Sequence, residues 1–268
     1  EVIGTRSKSK IQKLIKFNII KDEIGDCIPK SFLKTDERKY GIIALKYGLM
    51  DKYKENTEKS IDVENKYMKK LILDMIKLKI KPIYLSTSYI FNGKDGYYDE
   101  DSVYSPISEY GKRKANIELF LQPFLNEILI LRLDKIVGDN PMDNHLFSEW
   151  YKLAKNGKPI LCIKDQIFSL TSVYDIAKGI FLGCFNNLSG LYNLANPLPI
   201  MRSDLAKFFL ASLELNSNVI SKHQSGFGFK DLRPLHTSLN SYKFSHATNF
   251  NFTSLDKVIM NFKNKLIN

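Results

Sequence analysis

Long hydrophobic runs, cysteines and histidines are all scarce in this sequence, and each scarcity argues against a class of protein. No apolar run approaches the roughly 20 residues of a membrane-spanning helix, and the basic N-terminal segment lacks the continuous apolar stretch of a signal peptide. The cysteines, Cys27, Cys162 and Cys184, are odd in number and widely spaced. They indicate thiols kept reduced in the cytoplasm rather than disulfides or a zinc site.

Metal-binding and hydrolase motifs are also missing. The four histidines are scattered without metal-ligand spacing, so no metal site is predicted. No Gly-x-Ser-x-Gly motif is present, which argues against a serine hydrolase of the α/β type.

The excess of positive charge has two interpretations. Lysine and arginine number 40 against 29 acidic residues, a net charge of +11. A basic surface can bind nucleic acid, but here the lysines are interspersed with acids and no nucleic-acid-binding module is recognisable. We therefore expect a solvated surface, with neither nucleic acid nor a membrane as partner, and local use of some cations for phosphates of a cofactor and substrate.

The stretch from Lys81 to Glu118 carries the most informative pattern. The apolar run Ile83–Leu85 predicts a buried strand. Three successive residues with hydroxyl side chains, Ser86–Ser88, lie at its carboxyl end. Further on, Ser105 and Pro106 predict the start of a helix, with Ser105 as the N-cap.

Tyr110 and Lys114 are four residues apart, so a helix places them on one face. A tyrosine exchanges a proton with an alcohol or ketone near neutrality only if its pKa falls from about 10, and a neighbouring ammonium favours the phenolate. In so lysine-rich a chain the spacing alone proves little, and it recurs at Tyr151/Lys155 and Tyr174/Lys178. Only the first copy follows a strand that ends in hydroxyls, the context expected for hydride-transfer chemistry.

Several ordered motifs resemble the extended short-chain dehydrogenase/reductases. The most similar branch is that of the dTDP-4-dehydrorhamnose reductases, whose usual motifs are Ser-Thr-Asp-Tyr-Val-Phe-Asp-Gly and Tyr-Gly-x-x-Lys. The corresponding segments here are Ser86–Gly93 and Tyr110-Gly111-x-x-Lys114. The resemblance implies that Tyr110 donates a proton, that Lys114 lowers its pKa and holds the nicotinamide ribose, and that Thr87 binds the substrate oxygen. Later segments also agree with the family pattern: Ile130–Leu133, Asp165–Thr171, Leu191–Leu194 and Leu232–Asn240.

The resemblance also implies a dinucleotide cofactor. The family's glycine-rich turn follows its first strand, but glycine is nowhere clustered in the N-terminal third of this chain. Compared with the family pattern, we expect the chain to start at the second strand, either because a first βα unit is missing or because this is a degenerate relative; we favour the former. Thr5-Arg6-Ser7 is then at the position where family members bind the adenosine ribose of the cofactor. Arg6 at this position favours NADP(H) over NAD(H), unless the segment is a basic loop without a ligand. The other cofactor-binding positions implied are Ala44, Leu45, Asn65, Tyr110 and Lys114.

Substrate-binding positions follow from the same resemblance and are Ser88, Phe91, Asn92 and Arg233. Two departures from the family put a rhamnose-type substrate in doubt more than they do the chemistry. The family's aspartate after Ser-Thr is Ser88 here, which removes a carboxylate from the mouth of the site. Lys135 stands where an aromatic residue is expected after the next strand.

Strands alternate with helices as far as about residue 138, which predicts an α/β fold with a doubly wound, Rossmann-like parallel sheet. From residue 139 the elements are shorter and predict a smaller substrate lobe. We therefore expect a cofactor-binding domain over residues 1–138, lacking its first βα unit, and a lobe over residues 139–268 that is partly interleaved with the sheet. Helices are predicted at residues 10–16 and 57–79.

Two classes of function remain open. The first is an NADP(H)-dependent oxidoreductase that reduces a 4-keto group of a nucleotide-activated deoxysugar, or an epimerase or dehydratase of the same superfamily. The second is a non-catalytic nucleotide-binding regulatory subunit, which the missing glycine-rich turn would fit. The intact Thr87, Tyr110 and Lys114 favour the enzyme, and a homodimer is left open.

Overall fold

The structure, a computed structural model, describes residues 4–6, 14–16, 19, 21–44 and 61–267. Its first elements are two short strands, β1 (Gly4–Arg6) and β2 (Leu14–Lys16), which pair in parallel. The helix predicted over residues 10–16 is therefore wrong at Leu14–Lys16, because pairing with β1 overrides the weak helical preference of so short a segment. Two short helices follow, α1 (Ile24–Cys27) and α2 (Lys30–Lys34).

A parallel sheet of four strands forms the centre of the molecule. Its strands are hydrogen-bonded in the order β3 (Lys39–Ile43), β4 (Ile80–Thr87), β5 (Leu129–Leu133) and β9 (Gly190–Asn193). All of β5 and most of β4 are buried, as expected of parallel strands that are covered on both faces. The predicted α/β fold with a parallel sheet is confirmed.

Helices cover both faces of this sheet. On one face lie α3 (Met68–Lys77), which continues a π-helical turn at Val63–Tyr67, and α4 (Glu109–Leu121). On the other lie α6 (Val173–Phe185) and α8 (Tyr242–Thr248). Successive strand residues face opposite cores, as the pleat of a strand requires: Tyr84 and Ile130 face α3 and α4, and Ile83, Leu129 and Leu131 face α6 and α8.

Residues after 134 also build a second core beside the sheet. One small sheet joins β6 (Lys135–Val137), β8 (Ile167–Ser172) and β10 (Pro199–Met201), and another joins β7 (Ile160–Ile163) to β11 (Val219–Lys222). Three helices complete this lobe: α5 (Leu146–Lys155), α7 (Arg202–Ser212) and α9 (Leu255–Ile267). Its core is aromatic, with the Phe147 and Phe209 rings stacked at 4.8 Å. Within the described residues, no helix is long and apolar enough to cross a membrane.

Candidate active site

Thr87 lies at the carboxyl end of β4, the edge of a parallel sheet where ligands bind in folds of this type. It pairs with Leu133, the last residue of β5. Its hydroxyl oxygen accepts a hydrogen bond from the Tyr89 amide at 3.3 Å and so caps a 3₁₀ turn at Ser88–Ile90. The strand end and the turn after it are therefore held in one conformation.

Helix α4 begins against this turn. Ser108, not Ser105 as the sequence predicts, is the N-cap, and its hydroxyl accepts a 3.0 Å hydrogen bond from the Gly111 amide. Asp231, far along the chain, accepts from the Glu109 amide at 2.8 Å. A Cβ added to Gly111 would lie 2.0 Å from the Tyr89 carbonyl oxygen. The glycine of the Tyr-Gly pair thus permits α4 to approach the turn closely.

Tyr110 and Lys114 project from α4 near the end of β4. The Lys114 side chain is buried, with its ammonium 3.5 Å from the Leu85 carbonyl oxygen and 4.8 Å from the centre of the Tyr84 ring. Tyr110 is half-buried, and its ring meets that of Tyr89 edge-on at 6.0 Å. The two side chains are therefore brought to the strand end that carries Thr87.

The other two copies of the spacing have different surroundings. The Lys155 ammonium lies over the ring of its own partner, Tyr151, at 5.7 Å. Tyr174 is exposed and donates a hydrogen bond to Asp139 at 3.1 Å, which raises the pKa of its phenol. A raised pKa is the wrong direction for an acid that works near neutrality.

A buried ion pair that sequence reasoning missed fixes the other end of α4. Arg132 on β5 and Glu118 on α4 are both essentially inaccessible to solvent and lie 2.9 Å apart. The same carboxylate accepts hydrogen bonds from Ser86 and from Tyr104, the latter at 2.9 Å. Burial and the Glu118 charge raise the pKa of Tyr104 to about 12, so it remains a neutral donor. An arginine within the apolar Ile-Leu-Arg-Leu segment of β5 is the sequence signal from which this buried ion pair could have been predicted.

A buried carboxyl group lies beside Ser88. Asp134, directly after β5, accepts hydrogen bonds from the hydroxyls of Ser88 and Thr237, both at 2.8 Å, and from the Ser169 amide at 2.6 Å. Ser88 itself carries no carboxylate, as expected, but it is hydrogen-bonded to a carboxyl group from the residue that follows the neighbouring strand. Burial raises the pKa of Asp134 to about 7, although its three donors oppose the change.

The predicted substrate-binding residues are differently placed. Ser88 and Phe91 are completely buried; Ser88 bonds to Asp134, and the Phe91 ring stacks on Tyr98 at 4.2 Å, so neither is open to a ligand in this structure. Asn92 accepts a hydrogen bond from the Lys94 amide at 2.9 Å and shapes its own loop. Arg233 is half-buried, lies 3.8 Å from the centre of the Phe229 ring and hydrogen-bonds Tyr89.

The predicted cofactor-binding residues are only partly described. Ala44 is exposed directly after β3, and Asn65 is half-buried in the π-helical turn, a feature often found at functional sites. Thr5 and Arg6 lie in β1, but their side chains, like Ser7 and Leu45, lie outside the described residues. Among the described residues, no group of three or more histidine, cysteine or acidic side chains could hold a metal ion.

Comparison with known proteins shows what this chain is similar to. A dTDP-4-dehydrorhamnose reductase of Aggregatibacter actinomycetemcomitans is 34% identical over 96 residues, which is 35% of this chain. The chain thus aligns with about a third, 32%, of the length of that relative.

Solved structures share the fold. The crystal structure of a hypothetical dTDP-4-dehydrorhamnose reductase from Sulfolobus tokodaii superposes with a TM-score of 0.81 at 24% identity, covering 96% of this chain and 90% of that one. The dTDP-4-dehydrorhamnose reductase of Bacillus anthracis, in complex with NADP, gives 0.74 at 23% identity over 83% and 79%. The model of the RmlD substrate binding domain matches residues 39–266, most of the sequence. The chain therefore belongs to the RmlD substrate-binding-domain family.

Proposed function

We propose that this protein is an NADP(H)-dependent reductase of the 4-keto group of a nucleotide-activated deoxysugar. The observation that carries the proposal is the placement of α4 against the turn after β4, which brings Tyr110 and Lys114 to the strand end that carries Thr87. A hydroxyl, a phenol and an ammonium at one carboxyl edge are the groups needed to hold a carbonyl oxygen and protonate it.

Each side chain has a distinct part. The Thr87 hydroxyl orients the substrate oxygen, and the Tyr110 phenol donates the proton that turns this oxygen into a hydroxyl. The Lys114 ammonium, one turn along the helix, stabilises the phenolate that remains and so lowers the pKa of Tyr110. When the cofactor is bound, its nicotinamide supplies the hydride for the carbonyl carbon.

The described residues fit such a cofactor. The ammonium of Lys114 and the phenol of Tyr110 are suitable hydrogen-bonding groups for ribose hydroxyls, and the small exposed side chain of Ala44 leaves the end of β3 accessible. Arg6 would bind the 2′-phosphate of NADP(H), as the sequence predicts.

The test is turnover of 4-keto sugars linked to dTDP, UDP, GDP and CDP, followed by NADPH absorbance. Tyr110→Phe keeps the ring and removes only the hydroxyl, so turnover should fall by about 10²–10⁴ while substrate affinity changes far less. Tyr174→Phe is the matched control from another copy of the spacing and should leave turnover nearly unchanged. Near-normal turnover by folded Tyr110→Phe would favour the regulatory subunit instead.

Lys114→Met tests the proposal that the Lys114 ammonium lowers the pKa of Tyr110. Without the ammonium the pKa of Tyr110 should rise, so turnover should fall and the limb of the pH–rate profile that reports this group should move to higher pH. A lower rate with an unchanged pH profile would contradict the role given to Lys114.

A further inference from the structure

A short segment of the chain joins the lobe to the first turn of α4. It consists of residues 231–237, here called the bridging segment, and follows β11 and a mostly exposed loop. The Ile167 amide on β8 donates a hydrogen bond to the Leu235 carbonyl oxygen at 2.8 Å, and the Ile167 carbonyl oxygen accepts one from the Thr237 amide at 2.9 Å. These backbone bonds fix one end of the segment to β8 and so to the lobe.

The middle of the bridging segment packs against the loop that follows the 3₁₀ turn capped by Thr87. The His236 amide donates a hydrogen bond to the Gly93 carbonyl oxygen at 2.9 Å. Gly93 has a φ of +72°, and a Cβ added to it would lie 2.4 Å from the Pro234 Cβ. The segment therefore lies in direct contact with the chain that leads away from the proposed site.

The first residue of the bridging segment, Asp231, contacts α4. Its side chain is buried, with 8% exposed. One carboxyl oxygen accepts a 2.8 Å hydrogen bond from the Glu109 amide, and the other accepts a 2.9 Å hydrogen bond from the Leu232 amide. Glu109 is the first residue of α4, so its amide has no partner within the helix. Asp231 supplies that partner from a distant part of the chain.

The backbone beside Asp231 is also held on the side of the preceding loop. The Arg233 amide donates a hydrogen bond to the Gln224 side-chain oxygen at 2.6 Å, and the Gln224 side-chain nitrogen donates to the Arg233 carbonyl oxygen at 3.1 Å. The Arg233 guanidinium lies 3.8 Å from the centre of the Phe229 ring. Asp231 is thus presented to α4 by backbone that is fixed on both sides.

The other hydrogen bonds of the first turn of α4 are local. The Ser108 hydroxyl accepts from the Gly111 amide, and the Ser108 carbonyl oxygen accepts from the Lys112 amide at 2.9 Å. Such bonds define the shape of the turn, but they do not relate it to the lobe. The bond to Asp231 does relate the two, and it lies at the residue directly before Tyr110.

We propose that Asp231 is a positioning residue for Tyr110. By accepting the Glu109 amide it fixes the first turn of α4 relative to the lobe, and so holds the phenol where the substrate oxygen is protonated. The inference rests on the proposed function and deepens it. Asp231 acts through the helix, because a proton donor must lie within hydrogen-bonding reach of its acceptor and a displacement of about 1 Å can cost about 10² in rate.

The test compares kcat and KM of the wild type with those of two variants, at a temperature where circular dichroism shows all of them folded. Asp231→Ala should lower kcat about tenfold or more and change KM less than about twofold, since only the placement of Tyr110 is altered. Asp231→Asn keeps one oxygen for the Glu109 amide, so its kcat should stay within about threefold of the wild type.

Asp231→Leu guards against a variant that does not fold. Leucine nearly keeps the shape of the buried side chain but offers no acceptor. Its kcat should fall as that of Asp231→Ala does, and it replaces that variant if Asp231→Ala is unfolded.

The matched control is Asp175→Ala in α6. Asp175 is also a buried aspartate in the first turn of a helix, and it accepts hydrogen bonds from the Thr253 amide at 3.0 Å and from the Thr253 hydroxyl at 2.8 Å. This helix carries no residue that is proposed to be catalytic. Asp175→Ala should therefore lose stability without any change in the kcat of the folded protein.

Hydrogen exchange of the protein without substrate gives a readout that does not depend on activity. The amides of Glu109, Tyr110 and Gly111 should exchange about tenfold or more faster in Asp231→Ala, because local opening of the turn becomes easier. In Asp175→Ala these amides should exchange as in the wild type, while the Thr253 amide exchanges faster.

Several outcomes would overturn the inference. They are near-normal kcat in the folded Asp231→Ala or Asp231→Leu protein, an equal loss of kcat in Asp175→Ala, Asp231→Asn as slow as Asp231→Ala, and unchanged exchange in the first turn of α4. The proposed function fails separately if the wild type reduces none of the 4-keto sugar nucleotides. Exchange alone then decides whether Asp231 fixes this turn.

Discussion

Asp134 places a carboxyl group beside Ser88, the residue that follows Ser86-Thr87. The carboxyl group follows the end of β5 and accepts a hydrogen bond from the Ser88 hydroxyl, in the turn after the neighbouring strand β4. Its other donors are Thr237 and the Ser169 amide, from two more segments of the chain. One side chain therefore ties four segments together beside the proposed catalytic residues.

Asp134 should make stability fall as the pH rises. Its pKa is raised from an ordinary 3.8 to about 7, so its contribution is fully present below pH 4 and lost as the pH rises through 7. We expect a loss of about 2 kcal/mol, less than the full shift implies because water screens a half-buried carboxyl. Denaturant unfolding of wild type and Asp134→Asn at pH 5 and pH 8 measures it.

Asp134→Asn suits this comparison, because its amide can still bond to the two hydroxyls while it cannot ionise. Its stability should decline less between the two pH values than that of the wild type. Asp204→Asn, at an exposed site, is the control and should follow the wild type. Parallel pH profiles for all three proteins would show that Asp134 does not ionise in this range.

Gly111 is the second residue whose identity follows from its neighbours. A methyl group there would lie 2.0 Å from the Tyr89 carbonyl oxygen, and backbone cannot move aside as a flexible side chain can. We expect Gly111→Ala to cost about 1–3 kcal/mol, the usual range for overpacking, and to lower turnover by displacing Tyr110. Gly226→Ala, where the added Cβ meets nothing nearer than 3.8 Å, should be nearly neutral in thermal unfolding and in activity.

At the scale of elements, α4 is held at both ends by distant parts of the chain. Asp231 and Ser108 bond to its first amides, and the Glu118–Arg132 ion pair fastens its last turns to β5. The same helix carries Tyr110 and Lys114 between these attachments. Its position on the sheet, rather than its own helical propensity, therefore sets where the phenol and ammonium lie.

Breaking the Glu118–Arg132 pair should be costly. Glu118→Gln keeps the shape but leaves the buried Arg132 guanidinium without its counter-charge, which typically costs about 3–5 kcal/mol. The matched control is Glu109→Gln on the same helix, whose partner Lys112 lies 2.7 Å away at the surface, where such pairs contribute about 0–1 kcal/mol. Chemical denaturation of both variants measures the loss of unfolding free energy. Equal losses for the two variants would contradict the stabilising role given to the Glu118–Arg132 pair.

At the scale of the whole molecule, two cores meet at the site. One core lies on the two faces of the parallel sheet and the other fills the lobe built by α5, α7 and α9. The chain passes from the first core to the second at Asp134 and Lys135, between β5 and β6. Residues from both cores therefore face one another at the carboxyl edge of the sheet.

Cofactor choice is a property of the whole molecule, since the proposed contacts lie on β1, β3 and α4. We expect tighter binding of NADPH than of NADH, and Arg6→Ala should reduce the difference by about 1–3 kcal/mol, the range for losing a hydrogen bond to a charged group. Calorimetry with both cofactors measures it, and Arg38→Ala, an exposed arginine before β3, should leave the preference intact. Equal affinities in the wild type would refute the prediction.

Local pattern predicted much of the sheet, and its failures have physical causes. The apolar runs of β4 and β5 are buried on both faces, so they are recognisable without a partner. The sequence predicts the start of α4 three residues early because Ser105-Pro106 also fits a helix start. The observed start at Ser108 is supported by Asp231 from a distant segment. A local pattern predicts a helix at Leu14–Lys16 because it does not include the pairing of this segment with β1.

The sequence by itself determined the groups available for chemistry, because a hydroxyl after a strand and a tyrosine–lysine pair on a helix follow from short spacings along the chain. Only the tertiary structure decided what surrounds them. Asp134 reaches Ser88 across 46 positions, Glu118 meets Arg132 from another element, and Asp231 binds the first turn of α4 from a distant segment. Such contacts depend on how strands and helices pack, and burial then sets the charges that the site presents.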